Sequence, residues 1–163
     1  RTFTPLQLQN AAASVDQYSS AFYSRFHEAC AADLPEVAIW GTGTPRREFL
    51  HVDDMADASL FVLDLPKEVY ESTTMPMLSH INVGSGTDIA ILDLAKMIAK
   101  VIGYSGKILT DPSKPDGTPR KLMDVTRLTN LGWKAQIHLE KGIRDTYDWF
   151  YHNLSQTDSI REK

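Results

Sequence analysis

Six cationic side chains stand at the ends of the helices, strands and turns that the sequence predicts. They are Arg25, Arg46, Arg47, Lys114, Arg120 and Lys121. Two of them follow the glycine-rich stretch GTGTP, and three enclose the turn Pro-Asp-Gly-Thr-Pro. Guanidinium forks suit phosphate oxygens, and a charge-assisted hydrogen bond contributes about 1.5–3 kcal/mol. The pattern fits one shared anion site, although six solvated surface charges are the more common arrangement.

Trp40 stands at the end of a predicted strand, directly before the glycine-rich stretch. An indole at this position could face the base or the sugar ring of a nucleotide ligand. The alternative is that Trp40 belongs to the hydrophobic core. The residue pattern by itself leaves both interpretations open.

Two glycine-rich stretches, GTGTPR (41–46) and GSGTD (84–88), each contain a G-x-G. Neither completes G-x-G-x-x-G, and neither is predicted at a strand-to-helix turn with an acidic residue about 20 positions further on. We interpret both stretches as ordinary turns. We therefore do not expect the dinucleotide-binding half of a Rossmann enzyme within these residues.

The remaining reactive side chains favour structural roles. The histidines are scattered without metal-ligand spacing, so no metal site is predicted. Cys30 falls on an apolar helix face, which predicts a buried packing thiol, and there is no G-x-S-x-G elbow. Asp53 and Asp54 could be acid–base carboxylates, but capping of the helix that follows explains at least one of them.

Composition places the chain among globular proteins. Its 163 residues are 42% hydrophobic and 23% charged, enough for one domain with a real core. The net charge of -4 argues against nucleic-acid binding, and no apolar run reaches the ~20 residues of a membrane helix. A single cysteine and a polar start without a signal-peptide pattern predict a cytoplasmic protein.

Periodicity predicts a mixed α/β domain in which short strands and helices interleave. The predicted helices cover 21–35, 55–65, 91–103, 125–132 and 139–153, and the predicted strands cover 36–41, 46–52, 79–84 and 106–111. A loop is predicted from Pro66 to about Leu78, and Asp124 is predicted to cap the helix that begins at 125. The strands lack the long Val/Ile runs typical of a central parallel sheet.

Three long stretches resemble a known family. WGTGTPRREFLHVDDMADA (40–58) is typical of the extended short-chain dehydrogenase/reductases, and MLSHINVGSGTDIAI (77–91) extends the likeness. SKPDGTPRKLMDVTRLTNLGW (113–133), with the later TYDWF, is similar to the GDP-L-fucose synthase family within that group. The resemblance runs from about residue 21 to residue 153. It implies conversion of GDP-4-keto-6-deoxymannose to GDP-L-fucose by 3,5-epimerisation and NADPH-dependent reduction.

The resemblance also implies which residues contact a GDP-sugar. Arg25 matches a substrate-binding arginine, and Trp40 matches the tryptophan of the family's W-G-x-G-T-P motif. Arg47 matches the arginine of the R-E-F motif, expected at the diphosphate. Asp116, in KPDG, is expected to accept hydrogen bonds from the substrate, and Lys121 is a weaker candidate. On this interpretation the loop KPDGTPRK (114–121) forms one wall of the pocket.

The family's catalytic half has no counterpart in these residues. Its NADP-binding glycine loop, catalytic Ser, Tyr-x-x-x-Lys pair and acid–base Cys are missing, and Gln17 stands where the family has a catalytic His. We therefore expect an α/β, C-terminal substrate-binding lobe of an extended short-chain dehydrogenase/reductase over 21–163, with the Rossmann core largely missing. Residues 1–20 are expected to be non-matching or disordered.

Such a lobe is expected to be inactive alone, because NADP(H) would bind only in the parent enzyme. The resemblance implies that the parent enzyme is a homodimer. We expect no catalytic residue in this chain, and we expect a GDP-sugar to be its binding partner. Two alternatives stay open. One is a non-catalytic GDP-sugar-binding or interaction module, and the other is a different nucleotide-sugar epimerase or dehydratase.

Overall fold

The computed structural model of the chain describes residues 21–161, with side chains to residue 152. The predictions for residues 1–20, including Gln17, lie outside this range. Within it, helices and short strands interleave, as the periodicity predicts. The helices are α1 (21–31), α2 (Val52–Leu63), α3 (Lys67–Thr73), α4 (Ile91–Ile102), α5 (Thr126–Asn130) and α6 (Leu139–Arg161). The strands are β1 (Glu36–Trp40), β2 (Arg46–Glu48), β3 (Asp88–Ala90), β4 (Lys107–Asp111) and β5 (Arg120–Lys121).

The strands form two small sheets. In the first, β1 pairs in parallel with β4, from Glu36 opposite Lys107 to Trp40 opposite Asp111. In the second, β2 lies in the centre, antiparallel to β3 and parallel to β5. The glycine turn 41–45 links β1 to β2, so the two sheets meet beside the segment that carries Trp40 and Arg47.

The larger hydrophobic cluster lies between β1 and the helices α1, α4 and α6. Helix α4 buries positions 91, 94, 95, 98 and 99, the spacing of one helical face, and packs against α6. Phe26, on α1, and Ile39, on β1, are among the fully buried side chains of this cluster. The predicted helix over 91–103 is confirmed, and it ends at Gly103 in a left-handed conformation, φ 86°.

A smaller cluster holds α2 against α5 and the segment after it. Ala58, Leu128 and Trp133 are buried together, and Asp57 Oδ2 accepts a 2.7 Å hydrogen bond from Trp133 Nε1. This cluster fixes the position of α2, which begins four residues after the end of β2.

Four predictions about local structure are wrong. Helix α1 ends at 31 rather than 35, β2 stops at Glu48 rather than 52, and α3 occupies part of the predicted loop. The stretch 79–84 is not a strand. It has no paired neighbour among the described residues, and Arg127 donates hydrogen bonds to the carbonyls of Leu78 and His80 instead.

The predicted burial of Cys30 is also wrong, because its side chain is exposed. The buried face of α1 contains Phe22, Phe26 and Ala29. Position 29 lies seven residues from 22, almost two full turns, whereas position 30 lies about 100° further round the helix.

Candidate functional site

Trp40 is 65% exposed at the end of β1, so it is not a core residue. Two cations lie over its ring. The Arg25 Cζ atom is 5.9 Å from the ring centroid, and the Lys114 Nζ atom is 5.7 Å from it. Both distances fall within the range of cation–π attraction. The structure therefore brings together a predicted ring and two predicted cations from three separate elements.

A glycine turn and the loop 112–119 meet directly beside Trp40. Gly41 adopts φ 79°, and a Cβ at this position would overlap Asp116 Oδ1. Asp116 accepts hydrogen bonds from Thr42, at 2.9 Å from the backbone N and at 2.7 Å from Oγ1. Gly41 is therefore required both by its backbone conformation and by the close approach of the carboxylate.

Arg47 is a buried arginine, only 9% exposed. Its Nη1 atom donates to the carbonyl oxygens of Arg46, at 2.7 Å, and Thr118, at 2.6 Å. Over residues 21–152, no carboxylate forms an ion pair with it. Carbonyl dipoles hold the guanidinium in place, and because no described carboxylate pairs with its charge, the position favours a bound anion.

Arg46 and Arg120 belong to a different arrangement. Both guanidinium groups bond to the carboxylate of Asp88, Arg46 Nε to Oδ1 at 2.8 Å and Arg120 Nε to Oδ2. The hydrogen bond from Arg120, followed by that from Arg46, lowers the pKa of Asp88. These two charges are partly neutralised within the three-stranded sheet, so the possibility that all six cations converge on one anion does not hold.

Lys121 lies exposed on β5, at the register position opposite Arg47. Lys121 therefore lies on the strand that pairs with the strand of Arg47. No described side chain bonds to its ammonium group.

Glu48 is a residue that sequence reasoning missed. Its Oε1 accepts from the Gly86 N at 2.6 Å, and its Oε2 accepts from the Met123 N at 2.9 Å. A Cβ on Gly84 would lie 2.5 Å from Oε1. Glu48 thus connects β2 to the segment before β3, through Gly86, and to the segment after β5, through Met123. Its partners lie 38 and 75 residues away, and no local signal reveals such pairs.

The acid–base interpretation of Asp54 does not fit its contacts. Asp54 is buried and accepts from the backbone N–H groups of Gln136 and Ile137, at 3.1 and 2.9 Å. The cap of α2 is His51, whose Nδ1 accepts from the Asp53 N. The capping prediction for Asp53 or Asp54 is therefore wrong, and Asp54 is a structural carboxylate.

The prediction that Asp124 caps α5 is wrong, because the N-cap is Val125, which makes no side-chain capping bond. Asp124 lies one residue earlier. Its Oδ1 accepts from the Thr126 N at 2.9 Å, at the start of α5.

Among the described residues, no group of His, Cys, Asp or Glu side chains could hold a metal ion. No helix in the same range is long and apolar enough to cross a membrane.

Comparison with known proteins gives the class. Residues 3–84 match the family described as the NAD dependent epimerase/dehydratase family, and the chain belongs to that family. A GDP-mannoheptose C4 reductase from Campylobacter jejuni, solved with NADP bound, is 32% identical with a TM-score of 0.70. That match covers 82% of this chain and 44% of the reductase. The predicted α/β fold and the resemblance to the extended reductase group are confirmed.

Individual relatives point to a smaller group within this family. The GDP-L-fucose synthase of Escherichia coli (strain K12) is 60% identical over 133 residues, 82% of this chain and 41% of that protein. The probable GDP-L-fucose synthase 1 of Oryza sativa subsp. japonica is 48% identical over 134 residues, 82% and 38% respectively. The chain spans about two fifths of the length of these relatives.

Proposed function

We propose that this chain is the substrate-binding part of a GDP-L-fucose synthase, the enzyme that epimerises and reduces GDP-4-keto-6-deoxymannose with NADPH. One observation carries the proposal. Arg47 is buried, with no carboxylate partner among the described residues, in the strand that follows the glycine turn, and Trp40 stands exposed before that turn with two cations near its ring. The 60% identity to the Escherichia coli synthase supports this choice of substrate.

We assign each residue that is predicted to contact the substrate a role in binding the GDP-sugar. Arg47 binds the diphosphate, and Trp40 stacks on the base or the sugar ring, with Arg25 adding a cation beside the ring. Asp116 accepts from a base or sugar N–H or O–H, because a carboxylate has about four acceptor sites and Thr42 fills two. Lys121 adds positive charge next to Arg47.

NADP(H) is part of the proposal for the whole enzyme and not for the described residues. The glycine turns lead into β2 and β3 rather than opening a helix, so residues 21–161 offer no dinucleotide loop of the usual type. The cofactor would supply the hydride, and its binding site is expected in the rest of the enzyme. The chain alone is expected to give no NADPH oxidation with the keto sugar.

The exposed face of α2 is the surface that we assign to the cofactor-binding part of the enzyme. Val52, Leu60 and Leu63 are each at least 60% exposed along this helix. An apolar stripe of this kind marks an interaction surface. A homodimeric whole enzyme and a cytoplasmic location stay predictions.

The test is a calorimetric titration with GDP, GDP-fucose and UDP-glucose. We expect saturable binding of the two guanine ligands and weaker binding of UDP-glucose. Arg47→Gln keeps an N–H donor for the Thr118 carbonyl but removes the charge, and it should weaken GDP binding at least ~10-fold, or about 1.4 kcal/mol. Arg144→Gln, on the exposed side of α6, is the matched control and should bind like the unchanged chain.

Two results would exclude a GDP-sugar site. The first is that a folded chain binds none of the ligands, and the second is that Arg47→Gln binds GDP as well as the unchanged chain does. Equal affinity for GDP and UDP-glucose would favour another nucleotide-sugar epimerase or dehydratase. Guanine-selective binding is also what a non-catalytic module would show. A chimera in which this chain replaces the matching part of a full-length synthase separates these two, because only the substrate-binding part of an enzyme would support NADPH oxidation with the keto sugar.

A further inference from the structure

Thr42 and Asp116 form a two-point connection across the candidate site. The Thr42 backbone N donates to Asp116 Oδ1 at 2.9 Å, and the Thr42 Oγ1 donates to Asp116 Oδ2 at 2.7 Å. We propose that Thr42 is a positioning residue of this site, acting through Asp116 to hold Lys114 over the Trp40 ring. The proposal rests on the function proposed above.

The connection closes a small ring of contacts. Trp40 lies two residues before Thr42, and Lys114 lies two residues before Asp116. The Lys114 ammonium then returns to within 5.7 Å of the Trp40 centroid. A lysine side chain has several rotatable bonds and loses much conformational freedom when it is fixed. Because its backbone is tied to the turn that carries the ring, the cation starts close to its bound position.

The hydroxyl of Thr42 is itself held in place. The Thr44 N lies 3.2 Å from Thr42 Oγ1, and the Thr44 Oγ1 lies 2.7 Å from it. Both groups can donate to that oxygen, which leaves its own proton for Asp116. The turn therefore orients the donor that the loop needs.

The other half of the loop has separate attachments. Arg47 donates to the Thr118 carbonyl, and the Arg46 N donates to the Pro119 carbonyl at 2.8 Å. These bonds fix the end of the loop near β5 but do not reach Lys114. The start of the loop is also fixed, because the Ser113 N donates to Asp111 Oδ1 at 3.1 Å and the Lys114 N donates to the Asp111 carbonyl at 3.2 Å. Loss of the Thr42 bond should therefore shift the segment from Lys114 to Asp116 relative to the turn and leave the Arg47 region intact.

This role differs from direct contact between Asp116 and a ligand. If Asp116 acts only by touching the ligand, removal of the Thr42 hydroxyl leaves ligand affinity unchanged. If the connection matters, Thr42 substitutions weaken binding while the carboxylate is still present. Thr42→Val removes only the hydroxyl, and Thr42→Ser restores it. Thr110→Val is a control in β4, where the hydroxyl has no partner in the described part of the chain.

The first experiment needs no ligand. In a Trp149→Phe background, the exposed indole of the described residues is Trp40, because Trp133 is buried. Anionic iodide should quench its fluorescence more than cationic caesium, since two cations lie over the ring. Trp40→Phe should remove the quenchable signal. We expect Thr42→Val to lower the iodide-to-caesium quenching ratio, Thr42→Ser to restore it, and Thr110→Val to leave it unchanged.

The second experiment is a GDP titration of the same variants. Thr42→Val and Asp116→Asn should each weaken GDP binding about 10-fold, and the double variant should be no weaker than the single variants. Thr42→Ser should bind within about twofold of the unchanged chain. An unchanged quenching ratio in Thr42→Val overturns the proposal, and so does full GDP affinity in that variant. If the unchanged chain binds no GDP, the proposed function fails, and the quenching ratio alone decides the role of Thr42.

Discussion

Asp54 and Asp53 are neighbours in the chain but occupy opposite environments. Asp54 is 4% exposed and accepts two backbone hydrogen bonds from the segment after Trp133, whereas the Asp53 side chain is 78% exposed. His51 Nδ1 lies 3.6 Å from Asp53 Oδ2. A pair that could be read as two acid–base carboxylates is therefore one structural anchor and one surface charge.

Asp54→Ala should reduce the free energy of unfolding by about 3 kcal/mol, because two N–H groups lose their acceptor. Asp53→Ala should cost less than about 1 kcal/mol, the size of a charge effect in the first turn of a helix. Urea denaturation of both variants measures the difference. Equal losses in the two variants would show that the Asp54 bonds contribute no more than a surface charge does.

Gly41 and Gly103 allow a matched test of crowding. Both have positive φ, 79° and 86°, but a Cβ at Gly41 would overlap Asp116 while nothing lies within 4 Å of one at Gly103. Gly103→Ala should cost only the left-handed backbone strain, about 1–2 kcal/mol. Gly41→Ala should cost a further ~1–2 kcal/mol, because Asp116 must release Thr42. Thermal unfolding of both variants provides the comparison, and a smaller loss for Gly41→Ala would contradict the close approach.

The three-stranded sheet should weaken in acid through Asp88. Hydrogen bonds from Arg120 and Arg46 lower its pKa below the ordinary 3.8. A carboxyl with a lowered pKa stabilises the fold above its unfolded pKa, and that stabilisation is lost as pH falls through the folded value. The difference in unfolding free energy between the unchanged chain and Asp88→Asn should therefore be constant above about pH 5 and shrink below 3.8.

Asp111 and Asp124 also have lowered pKa values, owing to hydrogen bonds from Ser113 and Thr126. Both remain in Asp88→Asn, so the variant should keep some acid sensitivity. Urea titrations at a series of pH values test this. A difference that grows as the pH falls would have the wrong sign for a carboxylate held by arginines.

Sequence reasoning works here where the signal is local. Helix α4 follows from the 3.6-residue repeat of its apolar positions and from Gly103, and β4 follows from a short apolar run. The predicted burial of Cys30 is wrong because positions 22, 26 and 30 drift around a helix, whereas 22 and 29 stay aligned. Local patterns give the existence of an element more reliably than its packing.

The candidate site shows the same limit. Trp40 and Lys114 stand out by type, and the structure brings them together across 74 residues. Asp88, which neutralises two of the predicted cations, lies 42 residues from Arg46 and 32 from Arg120. A strand assigned to 79–84 lacks a partner among the described residues, and hydropathy gives no measure of pairing. These three features depend on which distant segments meet.

The smaller cluster gives a final contrast between two leucines. Leu128 is fully buried beside Ala58 and Trp133, whereas Leu63, at the end of α2, is 66% exposed. Leu128→Ala should lower the free energy of unfolding by about 2–5 kcal/mol, because it removes buried methyl groups and leaves a cavity. Leu63→Ala should change it by no more than about 0.5 kcal/mol. Urea denaturation measures both values. A large loss in Leu63→Ala would mean that the apolar face of α2 is already covered within this chain, contrary to its assignment as a surface for the cofactor-binding part.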